Sequence, residues 1–192
     1  MCDPCLFAKF DYRGDIKLFY SCAQVLNNHG IHQRRTMKPN IGISDIHRKT
    51  VSTLLAKLLA NEVALYLATR GAHWNVVGPN FGALHGFFET QYEALDEILD
   101  DVAERIRALG AAAPATVGTF AKTKSIDDAA GEAASAAAMI ESLLAAHETV
   151  VRQLRVDATT AGDCGDEGTA DFLVGLIEQH EKMAWMLRSH LQ

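Results

Sequence analysis

Only four of the 192 residues are proline, and alternating Val/Ile/Thr stretches are almost absent. Both scarcities argue against a sheet-built domain and for long uninterrupted helices. Apolar runs are broken by charge well short of the ~20 residues that a bilayer span requires. The opening "MCDPCLFAKFDYRGDIKLFYSC" scatters charges among its apolar residues, unlike a secretory signal, so a cytoplasmic location is expected. Cysteine is also sparse, at Cys2, Cys5, Cys22 and Cys164. Cys2 and Cys5 have redox or zinc spacing, but a zinc knuckle needs a second pair. No second CxxC exists, and His29 and His32 are weak substitutes, so incidental thiols are expected.

What the chain does have is Ala, Leu and a graded charge. Residues 1–50 hold eight Lys/Arg against four Asp/Glu, a net +4, within a chain whose total is −6. The remainder is therefore a strongly acidic body behind a basic leader. Residues 1–36 show no sustained periodicity and are read as an N-terminal extension, mobile or loosely docked, with a short helix allowed around 15–27. Residues 37–192 are read as one domain.

Within that domain Ser44 and Asp45 are good N-cap residues, followed by apolar positions at helical spacing as far as Gly71. "NVVGPN" is a turn, and a second helix is expected from Phe81 to Leu109, stopped by Gly110. A long connection follows, in which "SIDDAAG" is expected to form one short turn capped by Ser125. A third helix is expected from about Glu132 to Thr160 and a fourth from about Thr169. The fold class is all-α: a four-helix bundle with a short helix in its long mid-chain connection.

The second helix raises a question of reach. His85 and Glu89 lie one turn apart on one face, and Asp100 and Glu104 repeat that spacing. Glu89 and Asp100 are separated by about three turns, so both pairs point the same way but stand ~16 Å apart along the axis. Metal–ligand bonds are only ~2.0–2.2 Å long, so one chain cannot close both pairs on one ion. Two chains related by a two-fold axis would create two identical shared sites, and His73 would cap each over the turn. Imidazole with carboxylate suits iron, manganese or zinc. An intrachain di-iron centre uses Glu-x-x-His, and no Glu in the chain has His three residues later. The alternative for Glu89, Asp100 and Glu104 is a solvated charged face.

"HWNV", "GPNF", the "LH" that follows and the closing "AER" together resemble the Dps family (DNA-binding protein from starved cells, the mini-ferritins). "MKPNIGIS" and "GLIEQHEKMAWMLRSHL" also look like that family, so the resemblance covers roughly residues 37–192. It implies a ferritin-like fold and a hollow dodecamer storing ferric mineral. Hydrogen peroxide would oxidise ferrous iron at dinuclear sites shared across two-folds. By position, His73, His85 and Glu89 look like ligands from one chain and Asp100 and Glu104 those from its partner. Glu89 departs from the commoner Asp. Trp74, beside a ligand, is either an electron donor or a core aromatic.

Such shells resemble one another in acidic three-fold pores near the last helix, which here would draw on Asp163, Asp166, Glu167 and Asp171. The same acids also suit a helix N-terminus. Some family members bind DNA through basic tails, and Arg34, Arg35, Lys38, Arg48 and Lys49 are the candidate contacts here. The alternative function is thus a non-specific DNA-compacting shell with iron oxidation secondary. His180 reads as a core histidine, and His47, His147 and His190 belong to no constellation.

Overall fold

The computed structural model describes Phe7–Phe10, Ile16–Phe19 and residues 38–192. It divides into two compact units, Met1–Met37 and Lys38–Gln192. In the first, strand β1 (Phe7–Phe10) pairs antiparallel with β2 (Ile16–Phe19), with Phe7 opposite Phe19 and Phe10 opposite Ile16. This corrects the short helix allowed around 15–27 at residues 16–19; the rest of that stretch lies outside the described residues. The aromatic and β-branched residues of these segments favour a pleated ribbon over a helix.

Residues 38–192 are helical. Helix α1 spans Asp45–Asn75, α2 Phe81–Ala108, α3 Val117–Thr123, α4 Ala136–Asp163 and α5 Glu167–Ser189. A 3-10 turn at Ala129–Glu132 lies between α3 and α4. Helix α1 packs on α2, α4 on α5, α1 on α4 and α2 on α5, which closes a ring of four. The connections from α1 to α2 and from α4 to α5 are short, as neighbouring bundle helices require. Leu55 and Leu65 of α1, Phe88 and Leu95 of α2, Leu143 of α4 and Leu173 of α5 are fully buried in the shared core. Each such side chain contributes about 1.5–3 kcal/mol by leaving water. One eighteen-residue stretch of α1 is apolar enough to cross a membrane, but 61% of it is buried inside the bundle.

The caps explain where the helices begin. The Ser44 hydroxyl accepts from the His47 N–H at 3.3 Å, as its sequence position suggests. Helix α4 starts later than expected because Ser135 is its cap, accepting from the Ala138 N–H at 3.2 Å. Ser125 caps nothing; its backbone N–H instead donates to Asn61 Oδ1 at 2.7 Å and ties the connection to α1. The short helix expected in this connection is α3, which lies just ahead of "SIDDAAG" rather than in it; the Thr116 hydroxyl caps it by accepting from the Thr119 N–H at 3.2 Å.

Gly71 does not stop α1, which continues to Asn75. Its role is close approach. A Cβ on Gly71 would lie 3.1 Å from the Gly131 Cα, and one on Gly131 only 2.7 Å from the Gly71 Cα. Asn75 Nδ2 also donates to the Gly131 carbonyl at 2.9 Å. The mid-chain connection therefore clamps the last turns of α1, which carry His73.

Candidate metal centre

The turn "HWNVVGPNF" folds α2 back beside α1 and sets His73 against His85. Their rings stack with centroids 3.7 Å apart. His85 Nδ1 donates to the His73 carbonyl at 2.9 Å, and His73 Nδ1 donates to the His85 carbonyl at 2.8 Å. The His73 carbonyl is free to accept because it lies in the last turn of α1, where no intrahelical donor remains. Since a carbonyl only accepts, both Nδ1 atoms carry protons, and in the neutral imidazole each Nε2 then offers its lone pair to a metal. Metal-binding histidines are held in this way, with the second nitrogen bonded to the protein.

Glu89 is half-buried one turn beyond His85. The Tyr92 hydroxyl donates to Glu89 Oε1 at 3.3 Å, and its ring meets the His73 ring edge-on at 5.2 Å. Burial, and then the charge of Glu89, push the Tyr92 hydroxyl above its ordinary range, so it remains a protonated donor. Arg70 lies 4.6 Å from the centre of the Tyr92 ring and donates to the Tyr66 hydroxyl. Sequence reading missed Tyr92 and Arg70, although Tyr92 stands at the helical i+3 spacing from Glu89.

Asp100 and Glu104 are exposed further along the same helix. At ~1.5 Å per residue they begin ~16 Å from Glu89. Among the described residues, no three His, Cys, Asp or Glu side chains of one chain converge tightly enough to hold a metal ion. The histidine end is rimmed by exposed apolar side chains: Trp74 at 65%, Val77 at 77% and Phe81 at 47%. Trp74 is therefore not a core aromatic of the single bundle; the Arg70 guanidinium lies 5.9 Å from its ring.

Other candidates divide. Asp163 at the end of α4, and Glu167 and Asp171 in the first turns of α5, are exposed. Asp166 is not available to a pore, because it is 2% exposed. Its Oδ1 accepts from the Thr169 N–H at 3.0 Å and from Arg105 at 2.8 Å, while Oδ2 accepts from the Thr169 hydroxyl at 2.6 Å. It caps α5 and anchors Arg105 of α2. Arg48 is likewise committed to the fold, donating to the Pro39 and Ile43 carbonyls and to Asp45. Lys38 pairs with Asp45 at 2.6 Å but stays exposed, and Lys49 is exposed. The Lys38 hydrogen bond and charge, with Arg48 beside them, hold the Asp45 carboxyl below its ordinary range. Arg34 and Arg35, like Cys2, Cys5 and Cys22, lie outside the described residues. His147 does belong to a constellation: it meets His180 in the core, a contact between α4 and α5 that helix periodicity does not show.

A ring of four helices with this histidine–carboxylate turn defines a class, and residues 52–192 match the ferritin-like domain family. An uncharacterized low temperature-induced protein of Nostoc is 42% identical over 154 residues, covering 80% of this chain and 86% of that one. The DNA protection during starvation protein of Brevibacillus brevis is 37% identical over 145 residues, covering 76% of this chain and 97% of its own. The DPS protein of Vibrio cholerae superposes with a TM-score of 0.77 at 31% identity, covering 81% of this chain and 97% of that one. Its structure is described as a member of a broad superfamily of ferritin-like diiron-carboxylate proteins. The chain belongs to the Dps family.

Proposed function

We propose that the protein takes up ferrous iron, oxidises it with hydrogen peroxide at centres shared between subunits, and stores the ferric product inside a dodecameric shell. The observation that carries this reading is the reciprocal His73–His85 pair. It spends both Nδ1 protons on backbone carbonyls, so that each neutral imidazole keeps its Nε2 lone pair for a metal, with Glu89 one turn further along α2. Asp100 and Glu104 are too far along α2 to join them within a chain, so a two-fold partner supplies that half. The exposed apolar rim of Trp74, Val77 and Phe81 supports contact with another subunit there.

The division of labour follows from ligand chemistry. Neutral imidazole suits ferrous iron, while Glu89, Asp100 and Glu104 offset the added charge of ferric iron. Two metals in such a centre sit ~3.5–4 Å apart, so two ferrous ions each give one electron to the same peroxide. The O–O bond breaks, two protons are taken up, and two waters leave without release of hydroxyl radical. That outcome protects cytoplasmic DNA from oxidative damage. Trp74, adjoining His73, serves as the electron donor when only one iron is present.

Exposed Asp163, Glu167 and Asp171 would supply the negative potential at a pore, drawing cations inward. The DNA-compacting alternative is less well supported, since Arg48 is engaged by the fold and Lys38 by Asp45. A crystal soaked in ferrous iron under anaerobic conditions tests the proposal. Anomalous density is expected between His73, His85 and Glu89 of one chain and Asp100 and Glu104 of the next. Iron bound only within single subunits, away from these side chains, would refute it.

A further inference from the structure

The bundle core holds a second polar group, remote in sequence from the histidine turn. Glu62 of α1, His147 of α4 and His180 of α5 are each 0% exposed. His147 Nδ1 lies 3.0 Å from His180 Nδ1. On its other side, His180 Nε2 lies 3.2 Å from Glu62 Oε1. That second contact has the distance of an ion pair without the alignment of a hydrogen bond. Both Glu62 oxygens, His180 Nε2 and His147 Nε2 are left with no hydrogen-bond partner. Unsatisfied groups at this density are unusual inside a folded domain and costly to maintain.

The two histidines impose a proton count. An N···N separation of 3.0 Å is a hydrogen bond only when one nitrogen carries a proton and the other a lone pair. With none, two lone pairs oppose each other; with two, the N–H groups collide and, once a second imidazole is charged, like charges meet in a dry interior. One proton between the Nδ1 atoms therefore fastens α4 to α5, and either ring can supply it.

We propose that Glu62, His180 and His147 form an acid-sensitive latch, closed by one proton shared between the histidines and opened when a second proton arrives. Burial, and then the neighbouring His180, hold His147 well below its ordinary value of 6.5. The sign follows. With its folded value depressed, His147 stays neutral when packed and binds a proton when released. Stability is therefore full above 6.5 and falls as pH drops through that value toward the lower folded one. Other charges around the latch do not replace this one. Helix α1 contributes Glu62, and α2 contributes Gln91, which is neutral and donates to the Met183 carbonyl at 3.4 Å. The pairs Arg188–Glu148 and Arg155–Glu181 join α4 to α5 on the exposed side, where solvent screens them.

Amide hydrogen exchange on the assembled protein from about pH 8 to about pH 5, corrected for intrinsic rates, reads the latch directly. Amides around His147 and His180 are expected to lose protection at least tenfold as pH falls, while those of α1 away from Glu62 keep theirs. His147→Gln keeps a hydrogen-bonding group but does not titrate, and its α4–α5 amides are expected to lose the pH-dependent step. The same step in wild type and variant would overturn the proposal. Neutron diffraction of the wild type, which needs no variant to fold, is expected to show one deuteron between the Nδ1 atoms near neutral pH. None, or two, would overturn it equally.

Discussion

Replacing Asp100 and Glu104 together by Ala is expected to remove fast peroxide-dependent oxidation of ferrous iron while leaving the fold intact. The chemical loss should be at least about a hundredfold, because even outer-shell partners of metal ligands are worth about 10–100-fold. Stability should hardly change within the subunit. Both side chains are exposed, and neither forms a salt bridge among the described residues. They are also like charges one turn apart, which repel weakly on an isolated helix. Stopped-flow absorbance of ferric product gives the rate, and size-exclusion chromatography with circular dichroism gives assembly and fold. Unchanged oxidation kinetics in a correctly assembled double variant would remove Asp100 and Glu104 from the centre.

Asp166→Ala is expected to be the most damaging substitution among the acids at the start of α5, costing about 3–5 kcal/mol. Two losses combine. The Thr169 N–H and hydroxyl lose their acceptor at the helix start, an effect of about 1 kcal/mol for a cap. Arg105, with its side chain only 29% exposed, loses its carboxylate partner in a partly buried position. Glu167→Ala, one residue on and exposed, is the control and should shift stability by no more than about 0.5 kcal/mol. Chemical denaturation at one fixed protein concentration compares them. Equal losses would mean that Asp166 is a surface acid after all.

The four long helices were legible because their apolar stripes and caps are local signals. Ser44 starts α1 as its side chain predicts, and Gly110, with φ of 89°, stops α2. What misled was chemistry that depends on tertiary neighbours. Gly71 reads as a helix stop, yet it serves close packing against a glycine sixty residues away. Asp166 reads as one of a row of acids, and only the approach of Arg105 from α2 separates it from Asp163 and Glu167. The candidate site was half visible. Spacing on α2 placed a histidine–carboxylate pair and an acidic pair on one face, but the exchange of hydrogen bonds that occupies both Nδ1 atoms depends on the turn geometry. His147 and His180 lie on different helices, so neither periodicity nor motif could join them.

The central claim is that each oxidation centre draws His73, His85 and Glu89 from one subunit and Asp100 and Glu104 from another. Co-assembling a His73→Ala/His85→Ala chain with an Asp100→Ala/Glu104→Ala chain tests it most directly. Each mixed pair would join one doubly defective site to one intact site, so random pairing restores about a quarter of wild-type sites. Recovery of roughly that share of peroxide-dependent oxidation from two inactive parents is the predicted result. Mixed shells as inactive as both parents would contradict it.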